Sequence, residues 1–354
     1  MIKVRKDGKM KAAVMEGLRQ PLVVRDVPDP VIDVKGAIIR VEANGVCRSD
    51  WHAWMGDIEV ASLPFVLGHE FVGVVEEAGK EVKRFKKGDR VIVPFSQGDG
   101  TCPECLAGHH NICDHSKMPG FHYWGGYGRY AAIPNADTNL VELSDDISFE
   151  AGASIGCRFM TAYYGLIEQA KVRPGEWVAV HGCGGVGLSA IHIASAAGAI
   201  PIAVDIMPEK LALAKKLGAA HAINSKEQNA PQAIKELTKG GAHVSVDALG
   251  ISDTILNALL SLRKRGRHLQ LGIASSENKM TALPTDYIVF KQIQFIGSLG
   301  MPAPYYPTML QLVAAGKLNP GLLVTKRISI EEAGKEIEAM TEFQTVGASI
   351  VTQW

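Results

Sequence analysis

The chain has no excess of charge and no long apolar run. Its 354 residues include 37 lysines and arginines and 37 aspartates and glutamates, so the formal net charge is zero. Nothing in this balance would attract nucleic acid or an anionic membrane. No apolar run approaches the roughly 18 residues of a membrane span, and the charged stretch 1–9 lacks the apolar core of a signal peptide. We therefore expect a cytoplasmic protein that acts on small molecules.

Cysteine is also scarce, with six residues in the whole chain. They fall in loop-like segments of a long sequence, which favours reduced thiols that bind metal over a disulfide framework. The composition is otherwise that of an ordinary globular protein, 47% hydrophobic and 21% charged. A chain of this length favours about two domains.

The pattern of predicted elements changes near residue 150. Up to about Asn135, short apolar runs among Val, Gly and Pro predict antiparallel strands. After Phe149, apolar runs alternate with helical segments such as 188–197 and 209–217, which predicts a parallel sheet covered by helices. The alternation ends at 293–296, and the tail shows no further strand–helix pattern. We therefore predict an α/β protein with one domain over 1–155, to which 298–354 returns, and a doubly wound parallel domain over 156–297.

The run 182–187, Gly-Cys-Gly-Gly-Val-Gly, matches the pattern G-x-G-x-x-G. It follows the predicted strand 177–180, precedes a helix that starts near Leu188, and is followed by Asp205 at the end of the next strand. In this context the glycines allow a tight turn and a close approach to the pyrophosphate of a dinucleotide. Asp205 is placed to bind the adenosine ribose and to repel a 2′-phosphate, which favours NAD over NADP. The alternative is a glycine-rich turn without a ligand, with Asp205 on the surface.

Three further segments together offer two thiols and one imidazole. Cys47 lies in the run 45–52, His69 in Gly68-His69-Glu70, and Cys157 after Gly156. Zinc held by three protein ligands keeps a fourth position open for water or substrate. Either cysteine alone would more often be a small buried apolar residue.

From Met10 to Val351 the sequence resembles the zinc-containing medium-chain alcohol dehydrogenases. The motifs that carry the resemblance are Gly-Val-Cys-Arg-Ser-Asp-Trp-His at 45–52, Leu-Gly-His-Glu at 67–70, the cysteine-rich lobe ending at Cys113, Gly156-Cys157, the 182–187 turn, and Val-Asp-Ile at 204–206 with Lys210. The resemblance implies a mainly β GroES-like catalytic domain, a Rossmann NAD-binding domain, and hydride transfer between an alcohol and NAD. It also implies a homo-oligomer, more often a tetramer than a dimer.

The resemblance assigns the catalytic zinc to Cys47, His69 and Cys157. Glu70 would lie beside the metal as a transient ligand or as a carboxylate that tunes its field. Asp50 matches the carboxylate that orients the ligand histidine. Zinc stabilises the ionised form of a bound hydroxyl, which prepares the alcohol to release hydride.

Ser49 and His52 occupy the two positions through which the family passes the substrate proton toward solvent. The plain alternative is that His52 is a surface histidine.

The resemblance also implies a set of coenzyme contacts, with Arg48 at the pyrophosphate and Lys210 near the adenosine ribose. The full set is Arg48, Thr161, Gly182, Gly184, Gly185, Val186, Asp205, Lys210, Leu249, Gly272 and Ile273. The chain departs from the family at Ala348, where a basic residue often helps to hold the pyrophosphate. Phosphate binding would then depend on Arg48 and on backbone N–H groups.

A second departure lies in the lobe where the family places four cysteines around a structural zinc. Cys102, Cys105 and Cys113 fill three of the places, but the first is Asp99. Carboxylate is a legitimate zinc ligand, although thiolate is usual in structural sites. We expect Asp99 to complete the site; the alternatives are one of the histidines at 109, 110 and 115, or a lobe without metal.

Aromatic residues surround these motifs, and Phe95 aligns with a residue that lines the family's substrate pocket. An apolar pocket would suit alcohols with alkyl or aromatic groups. The alternative within the superfamily is a polyol or amino-alcohol dehydrogenase. A dinucleotide-binding protein without catalysis is disfavoured, because such relatives lack ligands at the positions of Cys47, His69 and Cys157.

Overall fold

The computed structural model describes residues 8–274 and 280–354. The chain divides into two compact units, the first formed by Met1–Cys157 with Gly300–Trp354 and the second by Arg158–Leu299. Among the described residues, none of the helices combines the length and the apolar character needed to traverse a membrane.

Fifteen strands are described, numbered along the chain. They are β1 (Lys9–Val14), β2 (Val23–Pro28), β3 (Ala37–Gly45), β4 (Glu70–Ala78), β5 (Arg90–Ile92), β6 (Tyr130–Ile133), β7 (Val141–Glu142), β8 (Trp177–His181), β9 (Ile200–Asp205), β10 (His221–Asn224), β11 (Ala242–Asp247), β12 (Leu262–Gln270), β13 (Gln294–Gly297), β14 (Val324–Ser329) and β15 (Ala348–Gln353).

The described α-helices are numbered in the same way. They are α1 (Arg48–Met55), α2 (Pro103–Leu106), α3 (Ala136–Asn139), α4 (Phe149–Ser154), α5 (Met160–Tyr163), α6 (Gly185–Ala196), α7 (Pro208–Lys216), α8 (Ala230–Thr238), α9 (Ser252–Leu260), α10 (Thr285–Lys291), α11 (Tyr306–Ala314) and α12 (Ala333–Ala339). Two π-helical turns cover Ile155–Phe159 and Tyr164–Gln169. Short 3₁₀ turns cover His110–Ile112, Ala303–Tyr305, Pro320–Leu323, Ile330–Glu332 and Met340–Glu342.

The first unit is built on a seven-stranded sheet in the order β14-β15-β3-β4-β5-β7, with β6 paired to β3, and on the separate hairpin β1-β2. All of these pairs are antiparallel except β14–β15. Successive side chains of a strand point to opposite faces of the sheet. Along β3, Ala37, Ile39 and Val41 accordingly join one apolar core while Ile38 joins another. The mainly β character predicted for this part of the chain is confirmed.

The C-terminal tail contains a strand–helix–strand unit, because β14 and β15 pair in parallel and α12 lies between them in the chain. The prediction that the tail has no further strand–helix pattern is therefore wrong. Of the six residues of β14 only Ile328 is buried, so this edge strand has no apolar run that could have identified it.

The second unit is a fully parallel six-stranded sheet in the order β10-β9-β8-β11-β12-β13. This is the doubly wound order in which a dinucleotide binds at the carboxyl ends of the strands, where the strand order reverses. The reversal lies between β8 and β11. Val178, Ala179 and Val180 of the central strand β8 are completely buried, as expected for a parallel sheet covered on both faces. The predicted Rossmann domain is confirmed.

Candidate active site

The first unit brings together the residues predicted to bind the catalytic metal. Cys47 is the N-cap of α1, His69 directly precedes β4, Glu70 is the first residue of β4, and Cys157 lies in the π-helical turn after α4. One sulfur from each cysteine, an imidazole nitrogen and a carboxylate oxygen all lie within 4.8 Å of one another. All four residues are buried.

Asp50 holds this cluster in place. Its Oδ1 lies 2.9 Å from His69 Nδ1 and accepts the Gly68 N–H at 3.2 Å. Its Oδ2 accepts the Cys47 N–H at 3.0 Å and the Tyr127 hydroxyl at 3.0 Å. Because the carboxylate accepts a hydrogen bond from the Nδ1–H of His69, the lone pair of a neutral ring is left on Nε2.

That Nε2 atom is buried and has no hydrogen-bond partner among the described residues. Burial opposes a positive charge on His69, but Asp50 and Cys47 outweigh it and hold the pKa of the ring well above its usual value. The field at the cluster is therefore negative, as a cation site requires. Two thiols, an oriented imidazole and one carboxylate are ligands that zinc accepts in catalytic sites.

Two glycines allow the backbone to approach this closely. Gly68 has φ +94°, and a Cβ there would lie 2.7 Å from the Tyr127 nitrogen. At Gly156 a Cβ would lie 2.7 Å from the Glu70 Cα. Any larger residue at these positions would displace the segments that carry His69 and Cys157.

Aromatic rings flank the metal cluster. The ring centroid of Phe95 lies 5.9 Å from that of His69, and the centroid of Phe121 lies closer, at 5.0 Å. No sequence motif identified the contact of Phe121 with His69. Tyr306 was missed as well. Burial raises the pKa of its phenol well above the usual value, and Cys157 and Glu70 raise it further, so the hydroxyl remains protonated.

Ser49 and His52 lie one turn apart on α1, where residues three positions apart are neighbours. Ser49 Oγ is 3.9 Å from Cys47 Sγ. His52 is only 7% exposed, so it is not the surface residue of the plain alternative. Its Nδ1 lies 2.8 Å from Asp57 Oδ2, which holds the ring with Nε2 as the acceptor. Asp57 follows the end of α1 in a turn, and no sequence pattern identified it.

Arg48 is enclosed by aromatic rings. The guanidinium carbon lies 3.7 Å from the ring centroid of Trp51 and 4.0 Å from that of Phe343, and Nη1 donates to the Met340 carbonyl. Burial lowers the pKa of Arg48 to about 10, against the opposing effect of Asp57, so the side chain stays charged at neutral pH.

The glycine-rich turn of the second unit has the geometry that the sequence predicted. Gly182 has φ +93°, and a Cβ at Gly187 would lie 1.7 Å from the Gly182 oxygen. Asp205 anchors the turn, because its Oδ2 accepts the Cys183 N–H at 2.7 Å. Its Oδ1 accepts the N–H groups of the two residues that follow, at 2.7 and 3.0 Å. The carboxylate therefore stabilises the turn.

Helix α6 begins at Gly185, with Gly184 as its N-cap, rather than near Leu188 as predicted. Helix propensity placed the start too late because Gly is a poor helix former. The earlier start makes Gly185 and Val186 the first helical residues, whose N–H groups are available to an anion. Arg158 was missed by the sequence analysis. It is 3% exposed and lies against this helix start, where a Cβ on Gly185 would be 2.9 Å from its Cδ.

The remaining predicted coenzyme residues of this unit occupy several places. Leu249 packs against Gly182, since a Cβ on that glycine would lie 2.6 Å from the Leu249 Cγ, and Gly272 is closely packed beside the Gly250 nitrogen. Both follow the carboxyl ends of strands, β11 and β12. The others are Thr161, buried on α5, Lys210, buried on α7, and Ile273, which is 51% exposed.

Asp99, Cys102, Cys105 and Cys113 form a second cluster whose potential ligand atoms also lie within 4.8 Å of one another. Backbone N–H groups of residues 99, 105 and 115 point at its sulfurs, at 3.3 to 3.4 Å, which favours thiolates. Asp99 accepts the Thr101 and Cys102 N–H groups at 2.7 and 3.0 Å, and these bonds hold its pKa well below the usual range. His115 pairs with Asp99 Oδ2 at 2.8 Å. Neither it nor His109 or His110 belongs to the cluster.

Comparison with known proteins agrees with this geometry. Residues 34–145 match the family described as the alcohol dehydrogenase GroES-like domain, and residues 185–315 match the zinc-binding dehydrogenase family. An alcohol dehydrogenase from Geobacillus stearothermophilus is 38% identical over 312 residues, which cover 88% of this chain and 90% of the relative. An NAD-dependent alcohol dehydrogenase from Sulfurisphaera tokodaii is 33% identical, with 97% of this chain and 99% of the relative covered.

Among solved structures, the benzyl alcohol dehydrogenase from Acinetobacter calcoaceticus has a TM-score of 0.90 at 25% identity, with 98% of this chain and 99% of that chain covered. The structure thus contains two clusters of potential metal ligands and a Rossmann turn. Relatives that span nearly the whole chain indicate the same family. The chain belongs to the zinc-containing medium-chain alcohol dehydrogenases, enzymes that use zinc and NAD(H).

Proposed function

We propose that this enzyme oxidises primary and secondary alcohols with alkyl or aromatic groups, transferring hydride to NAD⁺, and reduces the corresponding aldehydes and ketones. The observation that carries the proposal is the buried cluster of Cys47, His69, Glu70 and Cys157, with His69 Nε2 lacking a hydrogen-bond partner among the described residues. Zinc, when bound, supplies a Lewis acid that lowers the pKa of the alcohol hydroxyl.

The side chains around that ion would have separate roles. Cys47, His69 and Cys157 would hold it, while Asp50 fixes the orientation and tautomer of the histidine. Glu70 adds a carboxylate at the same position, which increases the negative field and favours retention of the cation.

Ser49 and His52 would carry the hydroxyl proton away. With its Nδ1 proton directed at Asp57, a neutral His52 has its acceptor lone pair on Nε2. His52 retains 7% exposure, through which the proton could reach solvent.

The coenzyme would be held chiefly by the second unit. The N–H groups at the start of α6 suit the pyrophosphate, and Asp205 suits the adenosine ribose. Arg158 places a cation beside Gly185. We propose that Arg158 supplies part of the positive charge that the family often takes from a basic residue at the position of Ala348.

The ring contacts of Phe95 and Phe121 with His69 favour an apolar substrate over a polyol. The relative from Acinetobacter calcoaceticus is named for benzyl alcohol, an aromatic substrate of this kind.

A homo-oligomer, with a tetramer preferred over a dimer, is proposed from the resemblance and from one surface feature. Val289 and Phe290 are 69% and 83% exposed, and Phe295 lies on the edge strand β13. Exposed apolar side chains beside an unpaired strand edge favour association between copies of the chain.

Replacing Cys47 with Ser should remove one zinc ion per chain and lower kcat with benzyl alcohol by about 1,000-fold, because metal-ion catalysis supplies several kcal/mol. NADH affinity should stay within about threefold, since the glycine-rich turn lies in the other unit. Metal analysis, steady-state kinetics and NADH titration check this. Full activity without metal would contradict the assignment, and wild-type turnover of sorbitol in preference to benzyl alcohol would support the polyol alternative.

Replacing His52 with Ala should slow alcohol oxidation by roughly 10- to 100-fold, since a positioned acid–base group contributes on this scale. The loss should be greatest at low pH, where hydroxide is scarce, and added imidazole should restore part of the rate. The variant Asp57→Asn retains the His52 ring but weakens the hydrogen bond that orients it. Its rate of alcohol oxidation should therefore fall less than that of His52→Ala, and added imidazole should restore less of the lost rate. An unchanged pH profile in His52→Ala would show that the proton leaves by another route.

The wild type should strongly prefer NAD over NADP. Replacing Asp205 with Ser should lower the ratio of kcat/KM for NAD to kcat/KM for NADP by about tenfold or more, because the repulsion of the 2′-phosphate is removed. Since Asp205 also anchors the turn, affinity for NAD should fall as well. The ratio of kcat/KM values for the two coenzymes separates these effects. If the values fall in parallel and the ratio is unchanged, Asp205 acts only as the anchor of the turn.

Replacing Asp99 with Ala should reduce the zinc content from two ions per chain to one and lower the melting temperature by about 5 °C or more, because metal binding contributes to folding stability. The kcat of the folded enzyme should change little. Asp99→Asn keeps an acceptor for the Thr101 and Cys102 N–H groups, and Asp99→Cys restores a thiolate. A wild type with one zinc and a neutral Asp99→Ala would show that the lobe is held by packing alone.

A further inference from the structure

A cavity of about 720 Å³ lies in the second unit at the amino-terminal edge of its parallel sheet. Its walls come from the segment before β8, the first half of β12 and the residues at the start of β13. The glycine-rich turn follows the carboxyl end of β8, at the opposite edge of the sheet. The cavity is therefore separate from the coenzyme position.

The lining of this cavity is strongly cationic. Its charged side chains are six cations and one carboxylate, Glu176, which gives a net charge of +5 in a chain whose total is zero. The six cations are Lys171, Arg173, Arg263, Lys264, Arg265 and Arg267. The carboxylate of Glu176 already forms an ion pair, since its Oε2 lies 2.5 Å from Arg267 Nη2. The same oxygen also accepts the backbone N–H of Arg173 at 2.9 Å.

The other cations lack compensation within the described part of the chain. Among residues 8–274 and 280–354, no carboxylate forms an ion pair with Lys171, Arg173, Arg263, Lys264 or Arg265. Like charges brought together in this way repel one another, and a bound anion would relieve the repulsion.

His243 shows the same shortage of acceptors. Its Nδ1 lies 3.0 Å from the Trp177 nitrogen, and its Nε2 lies 2.7 Å from Arg263 Nη1. The Trp177 N–H and the Arg263 guanidinium are both donors, but a neutral imidazole has only one acceptor nitrogen. In either tautomer, therefore, one ring N–H of His243 faces another donor. Burial lowers the pKa of His243, and Arg263 lowers it further. An anionic oxygen beside Nε2 would accept hydrogen bonds from both groups.

The backbone around the cavity is also unusual. Seven described residues other than glycine have positive φ, and three of them line this cavity: Lys171 at +50°, Arg265 at +61° and Gln292 at +51°. Long side chains seldom adopt this conformation, which glycine adopts readily. Such strain concentrates where a side chain is retained for a function. At Lys171 and Arg265 the residues retained are cations.

We propose that this cavity binds a small molecule that carries two or more phosphate groups. Arginine donors match phosphate oxygens in bidentate pairs, and a ligand with three or four negative charges would neutralise most of the uncompensated cations. The volume of the cavity lies within the range of small-molecule sites.

The test is calorimetric titration of the zinc-loaded enzyme with inorganic tripolyphosphate at low ionic strength, with NADH present at saturation to occupy the coenzyme site. One site per chain is expected, with a Kd on the order of 10 µM, and inorganic phosphate should bind at least tenfold more weakly. Binding should also raise the pKa of His243, measured by NMR of its imidazole. Because the readout is binding, failure of the proposed alcohol turnover would not affect the result.

Two matched glycine variants identify the site. Arg265→Gly should weaken tripolyphosphate binding by at least tenfold while the melting temperature stays the same or rises, because glycine fits the positive φ. Lys239→Gly relieves a similar backbone conformation outside the cavity, at φ +53°, and should leave the Kd within about twofold. The proposal is overturned by an absence of saturable binding, by equal Kd values in the two variants, by displacement with NADH, or by tighter binding of a single-stranded oligonucleotide than of tripolyphosphate.

Discussion

The buried carboxylate of Asp50 is the interaction on which the metal centre depends. Burying a charge is costly unless hydrogen bonds compensate it, and Asp50 receives them from three separate chain segments, at Cys47, at 68–69 and at Tyr127. Its two oxygens thereby connect the start of α1 to the start of β4. Removing any one donor would weaken the compensation of the buried charge, so the constraint acts on all three segments together. The hydrogen bonds of Asp50 thus fix the relative positions of Cys47 and His69.

Sequence motifs predicted the parts of the site that depend on local geometry. Cys47, Ser49 and His52 lie on one short helix, and the glycine-rich turn is a single strand–turn–helix unit, so fixed spacings carry the information. Asp57, Phe121 and Tyr306 are different. They enter the site through turns and distant segments, with no motif or periodicity, and only the folded chain shows which functional residue each one contacts. The exposed strand β14 was missed for a related reason, because it has almost no buried residues.

The two edges of the parallel sheet in the second unit have different chemistry. At the carboxyl edge, backbone N–H groups and glycines form a turn of the kind that binds anions without any side chain, and one carboxylate, Asp205, anchors that turn. At the amino-terminal edge, long cationic side chains replace glycine even where the backbone favours it. The glycine-rich turn at the carboxyl edge is a general feature of this fold, whereas the cationic cluster at the amino-terminal edge depends on the individual residues of this chain.

Arg48 illustrates how side-chain stacking can offset backbone strain. Phe343 has φ +55° at the end of a 3₁₀ turn, a position that usually favours glycine and that costs an L-residue about 1–2 kcal/mol. Stacking on a guanidinium contributes about 0.5–2 kcal/mol, which is enough to balance that cost. Rings stacked on the face of a guanidinium leave the N–H groups in its plane able to donate. The arrangement therefore keeps a charged donor half-buried between two rings, in a chain that has Ala348 where the family often has a second cation.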